Sequence, residues 1–139
     1  MKTIRVLLSI VLVAVLTGTF AQQETKVVTQ QDGQEIKAAV YYFHLERRCM
    51  TCKNVEAQSK KALEQLYPGE MEKGTVVFKS VNIEDKSGDE LKEKYGIKGQ
   101  TLLVVKGDKK KDLTSEGFLY AKSDPDKLKA EIEKAIKEL

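Results

Sequence analysis

Apolar residues along this chain fall into three kinds of block. Val6 to Leu16 is a short run broken only by Ser9. Three compact runs, Lys37 to His44, Thr75 to Ile83 and Thr101 to Val105, are rich in β-branched and aromatic residues and read as strands. The first of these is nearly continuously apolar, as a strand covered on both faces requires. Elsewhere the apolar positions take helical spacing. Val55, Ala62, Leu63 and Leu66 lie on one face between Lys53, Glu56, Lys60, Lys61 and Glu64, so a helix is predicted from about Cys52 to Tyr67. Pro68-Gly69 is expected to end it.

A short helix follows, with Ser87 as its cap, Glu90 completing a capping box, Leu91 and Tyr95 facing inward and Gly96 closing it. After the strand at Thr101, Gly107-Asp108 marks a turn and Lys109-Lys110-Lys111 reads as solvated loop. A further strand is predicted from Leu113 to Ala121. Ser123-Asp124-Pro125-Asp126 then starts a last helix, with Pro125 in its first turn and Leu128, Ile132, Ala135, Ile136 and Leu139 as its core face. The polar stretch 22–36, with Val27-Val28 and an Asp32-Gly33 turn, is a linker or weak edge strand. No internal repeat or low-complexity tract is visible. The order (β)–β–α–β–α–β–β–α predicts a three-layer α/β/α sandwich on a mixed central sheet, one domain over 37–139.

The start of the chain changes where this domain is expected to work. Lys2 and Arg5, then the apolar run, then Thr17-Gly18-Thr19-Phe20-Ala21 match a secretory signal peptide over 1–21, cut after Ala21. The run is shorter than the roughly 20 residues that span a bilayer comfortably. Membrane contact is therefore expected only through this segment before cleavage, and the mature protein is expected to be periplasmic or otherwise extracytoplasmic. The formal charge is +3, but the segment removed carries two cations and no acid, so the remainder is almost neutral. No basic stripe with interleaved aromatics is present, and nucleic acid is not an expected partner.

The two cysteines, Cys49 and Cys52, are the only ones, and they sit at C-x-x-C spacing between the first strand and its helix. An oxidising compartment favours disulfide staples in small domains. Closing so tiny a ring, however, is worth about 2 kcal/mol at most, so chemistry explains the pair better than stapling. A helix start places unsatisfied backbone N–H groups and the positive end of its dipole beside the first sulfur. That favours the thiolate, which is the nucleophile. Cys49 is thus the candidate attacking thiol and Cys52, one turn in, the resolving thiol. Arg47 and Arg48 flank Cys49 and are candidate thiolate-stabilising cations. His44, the only histidine, fits a half-buried strand end better than a proton shuttle or ligand, and Glu46 is a weaker candidate carboxylate.

Element order and motif position resemble the thioredoxin-like superfamily over about 37–139. Tyr95-Gly96-Ile97-Lys98-Gly99 resembles the stretch before that family's cis-proline loop, Thr101-Leu102-Leu103 the strand that follows it, and Gly117 the glycine of its last strand. More narrowly, Tyr42-Phe43-His44, Arg47-Arg48-Cys49 and Thr51-Cys52 are similar to small exported thioredoxin-like proteins described as nitrophenyl-compound nitroreductase subunits. That likeness does not imply nitro-group reduction by this chain alone, which has no flavin or dinucleotide fingerprint.

Three departures stand out. Arg48 replaces the usual Trp, no acid occupies the central strand near Tyr42, Phe43 and His44, and Gln100 or Thr101 stands where the proline would be. A non-proline cis bond costs about 3 kcal/mol, which favours a trans peptide here. The resemblance still implies that Gln100 and Thr101 offer backbone hydrogen bonds to a partner peptide. A low-pKa first cysteine would stabilise the reduced form, so a dithiol more oxidising than thioredoxin's is expected, and without the buried acid mixed disulfides are expected to resolve slowly.

The leading expectation is an exported thiol–disulfide oxidoreductase or dithiol electron-transfer subunit. Its partner would be a protein thiol or disulfide, and it would need no cofactor and no resident metal. The alternatives are a copper- or zinc-binding protein using the same two thiols, with Met50 and His44 nearby, and a non-catalytic binding module whose dithiol is vestigial.

Overall fold

The computed structural model describes residues 29–30 and 34–139 of the 139-residue chain. The signal-peptide reading, Val27-Val28 and Asp32-Gly33 lie outside them. β1 (Thr29–Gln30) and β2 (Gln34–Glu35) form a two-residue antiparallel pair apart from the main sheet.

The main sheet is organised around β3 (Ala38–His44), all seven of whose residues are buried. On one side β3 pairs in parallel with β4 (Val76–Asn82), Ala38 opposite Val76 and His44 opposite Asn82. On the other it runs antiparallel to β5 (Thr101–Lys106), Ala39 opposite Val105 and Phe43 opposite Thr101. β6 (Lys109–Asp112) closes the order β4-β3-β5-β6 as an antiparallel edge strand on β5. The parallel β3–β4 pair needs a crossover, and α1 (Met50–Leu66) followed by α2 (Pro68–Glu72) supplies it.

Side-chain alternation along β3 sorts the core into two halves. Ala38, Val40 and Tyr42 join Val55, Ala62 and Leu63 of α1 and Leu128, Ile132, Ala135 and Ile136 of the C-terminal helix. Ala39, Tyr41 and Phe43 face the other way, onto Ile83, Ile97, Leu103 and Val105, with Leu91 and Tyr95 of α3 (Lys86–Tyr95) over them. Tyr41 stacks on Phe43 with centroids 5.8 Å apart, and Tyr95 lies 5.4 Å from Tyr41. Helices thus cover both faces, giving the three-layer α/β/α sandwich with a mixed sheet expected from the sequence.

Several local expectations are corrected. The first helix does end before Pro68-Gly69, as expected, but a second follows at once. Pro68 opens α2, in whose first turn its missing N–H costs nothing. The cap of α3 is Asp85, whose carboxylate accepts the Ser87 N–H at 3.3 Å; Ser87 is inside the helix rather than at its cap. Gly96 does close α3, at φ 69°. Gly88 lets α3 cross the end of β4: a Cβ there would collide with the Asn82 carbonyl oxygen.

The lysine run Lys109–Lys111 is an edge strand, not a loop. Gly107, at φ 57°, turns the chain back so that Lys111 pairs with Val104. Charged lysines on such an edge discourage pairing with another chain. The segment after it is a helix, α4 (Thr114–Tyr120), not a strand. Leu113, Gly117 and Ala121 form its buried face at helical spacing, and Asp112 accepts the Thr114 N–H at 2.8 Å. Gly117 therefore belongs to a helix and not to a last strand; a Cβ on it would lie 3.1 Å from both Leu102 and Val55. The last helix, α5 (Pro125–Glu138), is capped by Asp124, which accepts the Lys127 N–H at 3.1 Å.

Candidate functional site

β3 ends at His44 and α1 begins six residues later, at Met50, so Cys49 arrives at the carboxyl end of the central strand and at a helix start. Cys49 is the N-cap, extended at φ −77° and ψ 170°, and its sulfur accepts the Cys52 N–H at 3.5 Å. A serine or aspartate oxygen does the same at an ordinary N-cap. The Cys49 side chain is exposed, whereas Cys52, on the inward face of the first turn, is 2 % exposed and belongs to the α1-side core. The two sulfurs are 2.8 Å apart and both are free thiols. One sulfur of the pair is thus exposed and the other buried.

The Cys49 thiol is held below its ordinary value. The largest cause is the Cys52 S–H, which donates to the Cys49 thiolate; next comes the Cys52 backbone N–H, opposed by partial desolvation and then aided by the Thr51 and Cys49 amides. Neither arginine is among these causes. Arg48 turns its guanidinium away to pair with the Glu56 carboxylate one turn along α1 from Cys52, each side chain 26 % exposed. Arg47 is exposed beside Cys49.

Of Gln100 and Thr101, the side chain of Gln100 reaches the dithiol. The Cys52 S–H lies 3.2 Å from the Gln100 side-chain oxygen. A single S–H cannot serve Gln100 and the Cys49 thiolate together, so the Cys52 proton has two competing acceptors. Thr101 instead uses its hydroxyl locally, donating to the Gly99 carbonyl at 3.1 Å, and begins β5. Among the described residues there is no cis peptide bond, so the Gln100–Thr101 link is trans. The sequence reading placed Gln100 in this loop for its backbone; the contact its side chain makes with Cys52 was not anticipated.

His44 is buried at the end of β3 with Nδ1–H donating to the Leu45 carbonyl at 2.9 Å, as a strand-end histidine does. Glu46 is exposed, and its backbone N–H is tied to Glu84 at 2.7 Å. Met50, next to Cys49, is 71 % exposed. Among the described residues, no group of three or more His, Cys, Asp or Glu side chains is placed to hold a metal ion, and no helix is long and apolar enough to cross a membrane. The described geometry therefore gathers Cys49, Cys52 and Gln100, and leaves Arg47, Arg48 and Thr101 at its rim.

No protein-family profile and no curated protein matches this sequence. Six solved chains do. One, described as the structure of a malarial protein, is similar over 71% of this chain and 97% of that one, at 17% identity and a TM-score of 0.46.

Proposed function

We propose that this protein is an exported, thioredoxin-like thiol–disulfide oxidoreductase, or the dithiol electron-transfer subunit of a larger redox system. One observation supports this most: an exposed Cys49 sulfur, capping a helix and shifted toward thiolate, lies 2.8 Å from a buried Cys52 sulfur. A thiol buried and inert on a strand or mid-helix would have neither feature.

In this reading the Cys49 thiolate attacks a partner disulfide, forming a Cys49–partner mixed disulfide and expelling the partner's other thiolate. Cys52 loses its proton and attacks the Cys49 sulfur. A Cys49–Cys52 disulfide forms, the bond to the partner breaks, and the partner leaves as a thiolate that takes up a proton. The partner is reduced by two electrons and the dithiol is oxidised by two. Running backwards, the same steps oxidise a partner dithiol. The exposed Met50 and the Gln100 side chain flank the dithiol that such a partner would reach.

The test is equilibration of the full chain with reduced and oxidised glutathione, followed by acid quench and mass measurement after thiol alkylation. The expected result is one intramolecular disulfide that forms and is lost reversibly, with Cys52→Ala accumulating a Cys49–glutathione adduct. A dithiol that stays fully reduced at every ratio, but binds Cu(I) or Zn(II) with loss of alkylation, would move the assignment to metal binding.

A further inference from the structure

Tyr42 lies beside the buried sulfur, and its hydroxyl lacks a partner. Strand alternation directs Tyr42 to the α1 side of the sheet, into the same core cluster as Cys52. The residue is 0 % exposed, and its hydroxyl has no hydrogen-bond partner. A buried orphan hydroxyl is costly and calls for a reason.

The surroundings supply one. The groups around the phenol are the Cys52 sulfur and the Glu56 and Arg48 side chains from α1 and the segment before it, with the His44 ring 6.1 Å away on its own strand. Burial, then the charge of the Cys52 sulfur and a hydrogen bond from the phenol to that sulfur when it is charged, push the phenol well above its ordinary range; Glu56 adds to this and Arg48 opposes it. The phenol therefore keeps its proton and is a donor, not a base. While Cys52 is a thiol, its proton has acceptors in Cys49 and Gln100, and the phenol has no aligned acceptor. When Cys52 loses its proton, the sulfur becomes an anion in the same buried cluster as an unused O–H.

We infer that Tyr42 is the positioning residue for the resolving step, donating its hydroxyl hydrogen bond to the Cys52 thiolate as that sulfur attacks the Cys49 mixed disulfide. The inference rests on the dithiol reading above and deepens it. Tyr42 keeps its own proton throughout. The Cys52 proton leaves to solvent, the Cys52–Cys49 bond forms, and the departing thiolate takes up a proton. A carboxylate at such a place would accept the Cys52 proton; a phenol holds the anion instead.

A chromogenic aromatic disulfide, dithiobis(nitrobenzoate), reads both steps by stopped flow. Attack by Cys49 releases one coloured thiolate at a rate proportional to reagent. Attack by Cys52 releases a second, at a rate independent of reagent. Hydrogen bonds to charged groups are strong enough that Tyr42→Phe should raise the pH midpoint of the second phase by roughly one to two units. Near neutral pH that slows the second phase by roughly 4- to 15-fold, because a more basic thiolate is also a better nucleophile and offsets part of the loss. An unchanged second phase in Tyr42→Phe would overturn the inference.

A second measurement keeps Tyr42 in place and does not depend on Tyr42→Phe folding. The Tyr42 Cζ resonance should move in step with the Cys52 Cβ resonance as Cys52 ionises, in a Cys49→Ser background. A Tyr42 Cζ that stays flat through that titration would also overturn it. Release of only one coloured thiolate by the wild type would instead remove the dithiol reading itself.

Discussion

Arg48 is the residue beside Cys49 whose surroundings change most between sequence and structure, and it yields a sharp prediction. Its guanidinium is engaged by Glu56, and the depression of the Cys49 thiol comes from Cys52 and the helix-start amides. Arg48→Ala should therefore cost stability without de-activating Cys49. Both partners keep about a quarter of their exposure, 26 % each, so water screens the pair and its worth lies near the top of the surface range, about 1 kcal/mol. With a urea slope of about 1–3 kcal/mol/M for a small domain, the unfolding midpoint should fall by roughly 0.3–1 M. The assay is the pH dependence of iodoacetamide alkylation at Cys49 on the reduced protein, run beside urea unfolding. The alkylation midpoint should stay in place for Arg48→Ala and rise for Cys52→Ala, which removes the largest cause of the shift. Glu56→Gln should lower it, by freeing a cation next to the thiolate. If Arg48→Ala raises the midpoint as far as Cys52→Ala does, the reasoning is wrong and the arginine acts on the sulfur directly.

Two further outcomes follow from the same geometry. Because the fold lowers the Cys49 value, the unfolded chain binds more protons there, and stability rises with pH. The reduced protein should gain melting temperature over Cys49→Ser as pH climbs from the lowered value to the ordinary thiol range, with no gain below it; an opposite slope in calorimetric scans would refute the sign. At Gly88, alanine would ordinarily gain about 1 kcal/mol of helix propensity. Here the obstacle to a Cβ is the Asn82 backbone. Overpacking of about 1–3 kcal/mol should therefore reverse the sign for Gly88→Ala, while Gly69→Ala, with nothing within 4 Å, should be neutral or stabilising in urea unfolding.

The parts of the fold legible in the sequence are those where one physical signal dominates. β3 is apolar on both faces, and α1 and α5 carry their buried residues at helical spacing, so pattern alone locates them. The exchange of roles at Lys109–Ala121 has a definite cause. An edge strand is held by backbone hydrogen bonds, and three lysines leave no alternation to read. The β-prone run Phe118-Leu119-Tyr120 hides that Leu113, Gly117 and Ala121 are spaced for a helix. The candidate site divides in the same way. The spacing of Cys49 and Cys52 is local and fully visible. The partners of Arg48 and of the Cys52 thiol are eight and 48 residues away, and nothing in the order of residues marks them. Tyr42 was within reach of sequence reasoning, because the alternation of β3 already puts it on the face that receives α1.

Cys52 is at once half of the dithiol and a member of the larger core cluster. Folding and oxidation of the dithiol therefore share a thermodynamic cycle. Any difference in stability between the dithiol and disulfide forms of the domain must reappear, sign and size, as a difference between its reduction potential and that of the same two cysteines in the unfolded chain. About 1.4 kcal/mol corresponds to about 30 mV for a two-electron couple. A substitution deep in the α1–α5 packing can thus retune the potential without touching either sulfur, provided the core fits one oxidation state better than the other. By the same cycle, a partner that grips one oxidation state more tightly pulls electrons on or off this protein simply by binding.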